Sequence, residues 1–437
     1  MLSKLNGVDY LEKRNYVDIN SKTKIIMIDR NAIIDKCIPQ IRNDWLAAGD
    51  AFPDFLPVIS EGTRLANEGF VQSVIDNFQS QMKCFPVNPF VRRKWKRKTQ
   101  DMIDNALNNE SIISIHKYMD QRMIKEFQDE LKEFFRHVRK FAPELDLDGI
   151  GQAARNYIVY AMFKEIENEK SGFNNACFGY SMLYPFTDNY IDSPNISESE
   201  KNEYNRIICD KIEGHEVHPR TLHQKKTCGL LQKIEERYAR DIDSSVFILL
   251  LMMLEAQENS LHQQNSSILL TEEERLDISL YKGGISVLID RFFVDKEITG
   301  EDLIFYLGFG FFLQLADDLQ DINEDSRKGH QTILTVDTEV GHEERIVNKM
   351  FHFVRKMMDD YKADNEEFKN FILLNCYQLV YSSIIQSSEF FSEGYLDEME
   401  IHLPVSRRFV QSMKNNRIND IDIKIQEKYM KILDEMI

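Results

Sequence analysis

The sequence predicts an all-α protein, and three observations carry that reading. Glycine (18) and proline (10) are scarce for 437 residues, which disfavours a fold built from many tight turns. Apolar residues recur at helical spacing through most segments, the pattern of amphipathic and buried helices. Strand-like alternation is rare. Lys24-Ile25-Ile26-Met27-Ile28-Asp29 is the one stretch expected to hold a short strand.

Residues 1–95 carry Pro39, Pro53, Pro57, Pro86 and Pro89 and are expected to form an irregular N-terminal extension on a helical domain spanning 96–437. Ile112 to Lys140 is long, charged and amphipathic, with Pro143 just past its end, and Gly151 to Lys170 follows. A short helix is expected from Pro185, a residue suited to a first turn, to Asp192. Pro194 stops it, because the residue before a proline is pushed out of α geometry. Ser197-Glu198-Ser199-Glu200 is a capping segment for a helix to about Ile208. Thr227 to Tyr238, Ser244 to Gln257 and Glu272 to Ile289 come next. Glu301 to Asp325 starts behind Thr299-Gly300, a capping pair. His342 to Tyr361, Glu366 to Phe391 and Asn419 to Ile437 complete the set.

The apolar fraction, 43%, is ordinary, and the formal charge is −18. That charge argues against a general affinity for nucleic acid or anionic membrane; an anionic substrate would need a metal ion or a local basic patch. The strongest basic run, Val91-Arg92-Arg93-Lys94-Trp95-Lys96-Arg97-Lys98, reads as a solvated helix face. Six cysteines without a CxxC read as reduced thiols of a cytoplasmic protein. The first residues lack an apolar signal core. The longest apolar run, Val246 to Leu254, is far too short to cross a bilayer.

Chemistry is concentrated in two acidic clusters. The first is Thr187-Asp188-Asn189-Tyr190-Ile191-Asp192, and the second is Gln314-Leu315-Ala316-Asp317-Asp318-Leu319-Gln320-Asp321-Ile322-Asn323-Glu324-Asp325. Carboxylates four apart lie on one helix face. Asp188 and Asp192 form one such pair, and Asp317, Asp321 and Asp325 form a three-rung ladder beside Asp318. Like charges at that spacing repel, and acids are disfavoured at a helix C-terminus, so both ends call for a cation. Hard divalent ions take oxygen ligands and share them with phosphates.

The second cluster, continued by Ser326-Arg327-Lys328-Gly329-His330, resembles the second aspartate-rich region of class I isoprenoid enzymes. Asp321 to Asp325 followed by Arg327, Lys328 and Gly329 is similar to the squalene/phytoene synthase pattern D-x-x-E-D…R-x-G. Asp317, Asp318 and Asp321 are similar to the DD-x-x-D of polyprenyl diphosphate synthases, with Leu313 in place of that pattern's phenylalanine. Asp317, Asp321 and Asp325 keep the first, fifth and ninth ligand positions of terpene cyclases. Asp188 to Asp192 resembles the D-x-x-x-D of squalene synthases and the short motif of large bacterial terpene synthases. The paired arginines that follow the first motif of chain-elongating enzymes are missing; Lys201 and Arg206 are the nearest basic residues.

The resemblance implies the class I isoprenoid synthase fold, a helical bundle around a central apolar cavity with both acid clusters at its mouth. It implies Asp188, Asp192, Asp317, Asp318, Asp321 and Asp325 as ligands of several Mg²⁺ ions, with Mn²⁺ as a substitute. Lys282, Arg327 and Lys328 are the implied diphosphate contacts, and Tyr184, Phe309 and Gln314 the implied lining of the substrate site. The implied reaction ionises a linear prenyl diphosphate, cyclises or deprotonates the carbocation and releases pyrophosphate. Head-to-head condensation, chain elongation and non-catalytic isoprenoid binding stay open beside it. The implied partner is a prenyl diphosphate rather than nucleic acid; transient membrane contact for an apolar product and a homodimer are both compatible.

Three further features bear on this reading. Gly283 and Gly284, beside Lys282, permit either a helix break at the cavity or a tight helix crossing. Phe178, Tyr180, Tyr184 and Phe186 precede the first cluster, and Phe305, Tyr306, Phe309, Phe311 and Phe312 the second; ring faces stabilise cations, and such stripes also build plain core. His215-Glu216-Val217-His218, with His223 after it, departs from HExxH and reads as a polar loop. No GxGxxG, GxxxxGK[ST] or GxSxG occurs.

Overall fold

The computed structural model describes residues 28–170, 172–193, 195–264, 269–335, 339–416 and 423–437, and among these the regular structure is helical. Side-chain caps start most of the helices. Asp29 opens α1 (Arg30–Ala32), which passes through a π turn (Ile33–Cys37) into α2 (Ile38–Ala47). Then come α3 (Glu61–Lys83), α4 (Pro89–Asn109), α5 (Ile115–Tyr118), α6 (Gln121–Phe141) and α7 (Leu147–Ile166). The middle of the chain holds α8 (Asn175–Ile191), α9 (Glu198–Glu213), α10 (Leu222–Glu235) and α11 (Ser244–Ser260), the last continued by a 3₁₀ turn (Leu261–Gln264). Helices α12 (Glu272–Val294) and α13 (Gly300–Lys328) form the centre. After them follow α14 (His342–Asp360), α15 (Glu366–Gln386), a 3₁₀ turn (Ser388–Phe390), α16 (Glu393–Glu400), α17 (Arg407–Asn416) and α18 (Ile423–Met436).

Reciprocal capping boxes start α9 (Ser197 with Glu200), α10 (Thr221 with Gln224), α12 (Thr271 with Glu274) and α13 (Thr299 with Asp302). Each satisfies two backbone N–H groups that the first turn leaves without partners. Gly329, at φ 73°, ends α13, a left-handed cap that a side chain would strain.

The core is organised by the crossing of α12 and α13. A Cβ on Gly310 would lie 2.1 Å from the Gly283 carbonyl oxygen, and one on Gly283 would lie 2.3 Å from that of Gly310. Only glycine on both sides lets the backbones come so close. Helices α7 and α8 pack on each other, α10 lies on α8, and α7 and α11 lie on α12. The first half of α13 is buried all round. Phe311 meets Trp45 and Phe353 edge-on, and Phe305 stacks on Tyr361 at 3.9 Å.

Several expectations are corrected. The irregular reading of residues 1–95 fails over Arg30–Ala47, Glu61–Lys83 and from Pro89 on, all helical. Pro89 occupies a first turn, where the missing N–H costs nothing; Pro39 lies inside the continuous stretch from Arg30, directly after the π turn; and Pro53, Pro57 and Pro86 fall in links. The long helix expected from Ile112 divides at Met119-Asp120, because Asp120 caps α6. Pro185 sits inside α8, which starts ten residues earlier behind the cap Asn174. The glycine pair in α12 makes the crossing and leaves the helix unbroken. Lys24–Met27, most of the expected strand, and Asn419–Asp422, the expected start of the last helix, lie outside the described residues.

Candidate functional site

Two side-chain bonds set the register of the three helices that carry the site. Tyr184 on α8 bonds the hydroxyl of Ser286 on α12. One turn on, Asp188 and Lys282 are therefore neighbours. Ser279, on the other side of Lys282, donates to Asp318 of α13 at 3.4 Å. Lys282 is thus half-buried between the two acidic helix ends. Its ammonium favours the ionised forms of Asp188, Asp317 and Asp318 together. A second link joins the loops behind the clusters. Asp192 accepts from Gln264 at 3.1 Å, Gln331 N–H donates to the Gln263 carbonyl at 2.8 Å, and His330 Nδ1 lies 2.9 Å from Asp325.

The carboxylates differ in environment. Asp188 accepts from the Gln257 side-chain amide and from Thr187 Oγ1 at 3.0 Å. Burial raises its pKa against the pull of Lys282. Asp318 is buried and accepts from Gln314 Nε2 at 2.9 Å; burial, with Asp317 and Asp325 nearby, pushes it up to about 7. Asp317 and Asp321 accept no hydrogen bond or ion pair among the described residues. Both are open to solvent, yet desolvation is the main cause raising each, Asp321 to about 6, reinforced by the neighbouring carboxylates. Arg155 of α7 offsets both, and its own side chain is exposed.

The other expected site residues divide between the site and the core. Phe309 is core, against Phe163 and Phe305. Arg327 turns back to its own helix, donating to the Asn323 carbonyl at 3.0 Å. Lys328 pairs with Glu324 at 2.5 Å, within the field of Asp192 and Asp325. Gln314 serves Asp318. Tyr184, with Tyr180, lines a cavity of about 40 Å³ between α8, α9 and α11. That is well below the roughly 300–1,000 Å³ of ligand pockets. Leu183, Met253 and Leu254 complete its lining. A recess of about 250 Å³ lies at the far end of α13, between α2 and α14.

Most of the aromatic stripe is core as well. Phe178 packs on Phe134 and Phe173. Of the histidines, His223 stacks on Tyr190 and donates to the Phe186 carbonyl at 2.7 Å. Among the described residues, the one trio of candidate ligands with donor atoms all within 4.8 Å of one another is Asp210, Glu213 and His215, on the surface. The aspartates of α8 and α13 are more widely spread.

Sequence reasoning missed Arg155, Gln257, Gln264 and Ser279. Glutamine and serine are too common on helices to signal a role, and Arg155 stands out only once α7 is seen against α12. No protein-family profile, curated protein or solved structure matches this chain.

Proposed function

We propose that this chain is a Mg²⁺-dependent class I isoprenoid enzyme that ionises a linear prenyl diphosphate and cyclises or deprotonates the resulting carbocation. The observation that carries this reading is Lys282, a cation interleaved between Asp188 on one helix and Asp317 and Asp318 on another. A diphosphate bridging two acidic helix ends needs that arrangement of charge.

The donor set suits a hard divalent ion. Asp317 and Asp321 are oxygen donors with no partner among the described residues, and desolvation and neighbouring carboxylates hold their pKa values up; a cation relieves both. They would hold Mg²⁺ or Mn²⁺ together with Asp188 and Asp192, with the remaining positions left to phosphate oxygens and water. Bound Mg²⁺ supplies charge neutralisation of the departing diphosphate.

The protein's own residues do the rest. Lys282 donates to a diphosphate oxygen, and Arg155 adds a second cation at the rim. Gln257 and Thr187 fix the Asp188 carboxylate by hydrogen bonds. The rings of Tyr180 and Tyr184 face the cavity, where π faces stabilise a cation by roughly 0.5–2 kcal/mol each.

The test is pyrophosphate release with Mg²⁺ from C10, C15, C20 and C25 prenyl diphosphates, followed by mass analysis of the products. A hydrocarbon or alcohol of unchanged carbon number supports the proposal. A doubled carbon number means head-to-head condensation, and a chain longer by one C5 unit when isopentenyl diphosphate is added means elongation. Tight Mg²⁺-dependent binding without release identifies a non-catalytic isoprenoid-binding protein.

A further inference from the structure

We propose that the first turns of α4 form a docking face for an anionic lipid bilayer, a surface separate from the acid site and independent of its reading. Phe90 and Val91, in the first turn, are 94% and 47% exposed, and Val87 just before it is 92% exposed. At about 100° per residue, Phe90, Val91, Arg93, Lys94, Arg97 and Lys98 share less than half of the helix circumference. All six are exposed. The four cations have no ion pair or hydrogen bond among the described residues. Arg92, outside this arc, is used internally: it bonds the Pro86 carbonyl at 3.3 Å and Glu435 at 3.4 Å.

The helix cannot roll to hide Phe90. Its opposite face is fixed by Trp95, which donates to the Gln81 carbonyl at 2.9 Å, and by Thr99, bonded to Gln81 at 3.0 Å. Trp95 packs with Met82 and Ile432. The exposed apolar tip is therefore a built feature of the fold.

Apolar residues beside a cluster of cations on one helix face are the pattern of helices that lie in a membrane interface. The chain as a whole, at −18, is repelled by such a surface. At physiological salt, however, charges are screened beyond about 8 Å, so a bilayer meeting α4 first senses the local patch. Asp101, one turn on, is the nearest acid along this face. Two valines beside the phenylalanine have no use against a nucleic-acid backbone, whereas lipid acyl chains accept them.

The test is sedimentation of the full chain with vesicles of phosphatidylcholine alone or with 30% phosphatidylserine, at 0.1 M and 0.5 M NaCl. Binding is expected to the serine-containing vesicles, and to fall at the higher salt. With each cation contributing about fivefold, Arg93→Gln/Lys94→Gln/Arg97→Gln/Lys98→Gln should weaken it more than a hundredfold. Phe90→Ser should weaken it about tenfold. All five positions are exposed, so melting temperatures should not move, and Phe90→Ser stands alone as a test should the quadruple variant melt early. Equal binding to both vesicle types, no binding to either, unchanged binding by both variants, or tighter binding to single-stranded RNA than to serine-containing vesicles overturns the proposal.

Discussion

The acidic ends of α8 and α13 look alike in sequence and are built differently. On α8 both aspartates are served by glutamine amides, Asp188 by Gln257 and Asp192 by Gln264. On α13 service is selective. Asp318 has Gln314 and Asp325 has His330, while Asp317 and Asp321 have no donor among the described residues. A carboxylate held by neutral donors is fixed in place, whereas one without a donor keeps its oxygens for an arriving cation. One end is thus a prepared acceptor, and the other is where an arriving cation gains most.

The comparison is broken most completely by removing one carboxylate from each end. Asp188→Ala with Asp321→Ala is expected to lower Mg²⁺-dependent pyrophosphate release at least about 10³-fold, with an unchanged far-UV circular dichroism spectrum. Separating the helices that hold the two ends comes next. Gly310→Ala puts a Cβ against the Gly283 backbone and is expected to cost about 3 kcal/mol or more, read as a lower urea midpoint.

Asp317→Asn with Asp321→Asn should raise the melting temperature of the metal-free protein by a few degrees and erase the further rise that Mg²⁺ gives the wild type. Asp192→Asn, which keeps one amide oxygen as a ligand, should lower that rise less than the paired change on α13.

A third kind of carboxylate sharpens the contrast. Asp290 is fully buried, accepts from Asn156 at 2.8 Å, and its Oδ1 has no hydrogen-bond partner among the described residues; burial raises its pKa well above the usual range. A raised folded-state value means the neutral acid is favoured by folding. Its stabilisation is complete below the unfolded value near 4 and is lost as pH rises toward the folded value. Stability measured in urea should therefore fall as pH rises above the unfolded value near 4, and Asp290→Asn should flatten that slope. The smallest effect belongs to Arg327→Ala, expected to change turnover less than about twofold because its guanidinium serves its own helix end.

What could be read in advance follows from how local each feature is. The ladder Asp317, Asp321, Asp325 and the capping position at Thr299 depend on spacing within one helix, and both are legible in the sequence. The N-terminal helices were hidden because their prolines mark first turns as readily as breaks. Gly283 and Gly284 left break and crossing equally open, since their partner, Gly310, lies on another helix. Gln257, Gln264 and Arg155 acquire roles only through tertiary packing. The narrow cavity was hidden for the same reason: Leu183, Met253 and Leu254 are ordinary apolar residues until three helices bring them together.

The central claim is that the two acidic ends and Lys282 form one site. Calorimetric titration of pyrophosphate into the wild type, Asp188→Ala, Asp321→Ala and the double variant, with and without Mg²⁺, tests it most directly. One shared site predicts Mg²⁺-dependent binding, a loss in each single variant, and a double variant that loses less than the sum of the two. Binding that ignores Mg²⁺, or that survives unchanged in either single variant, would contradict it.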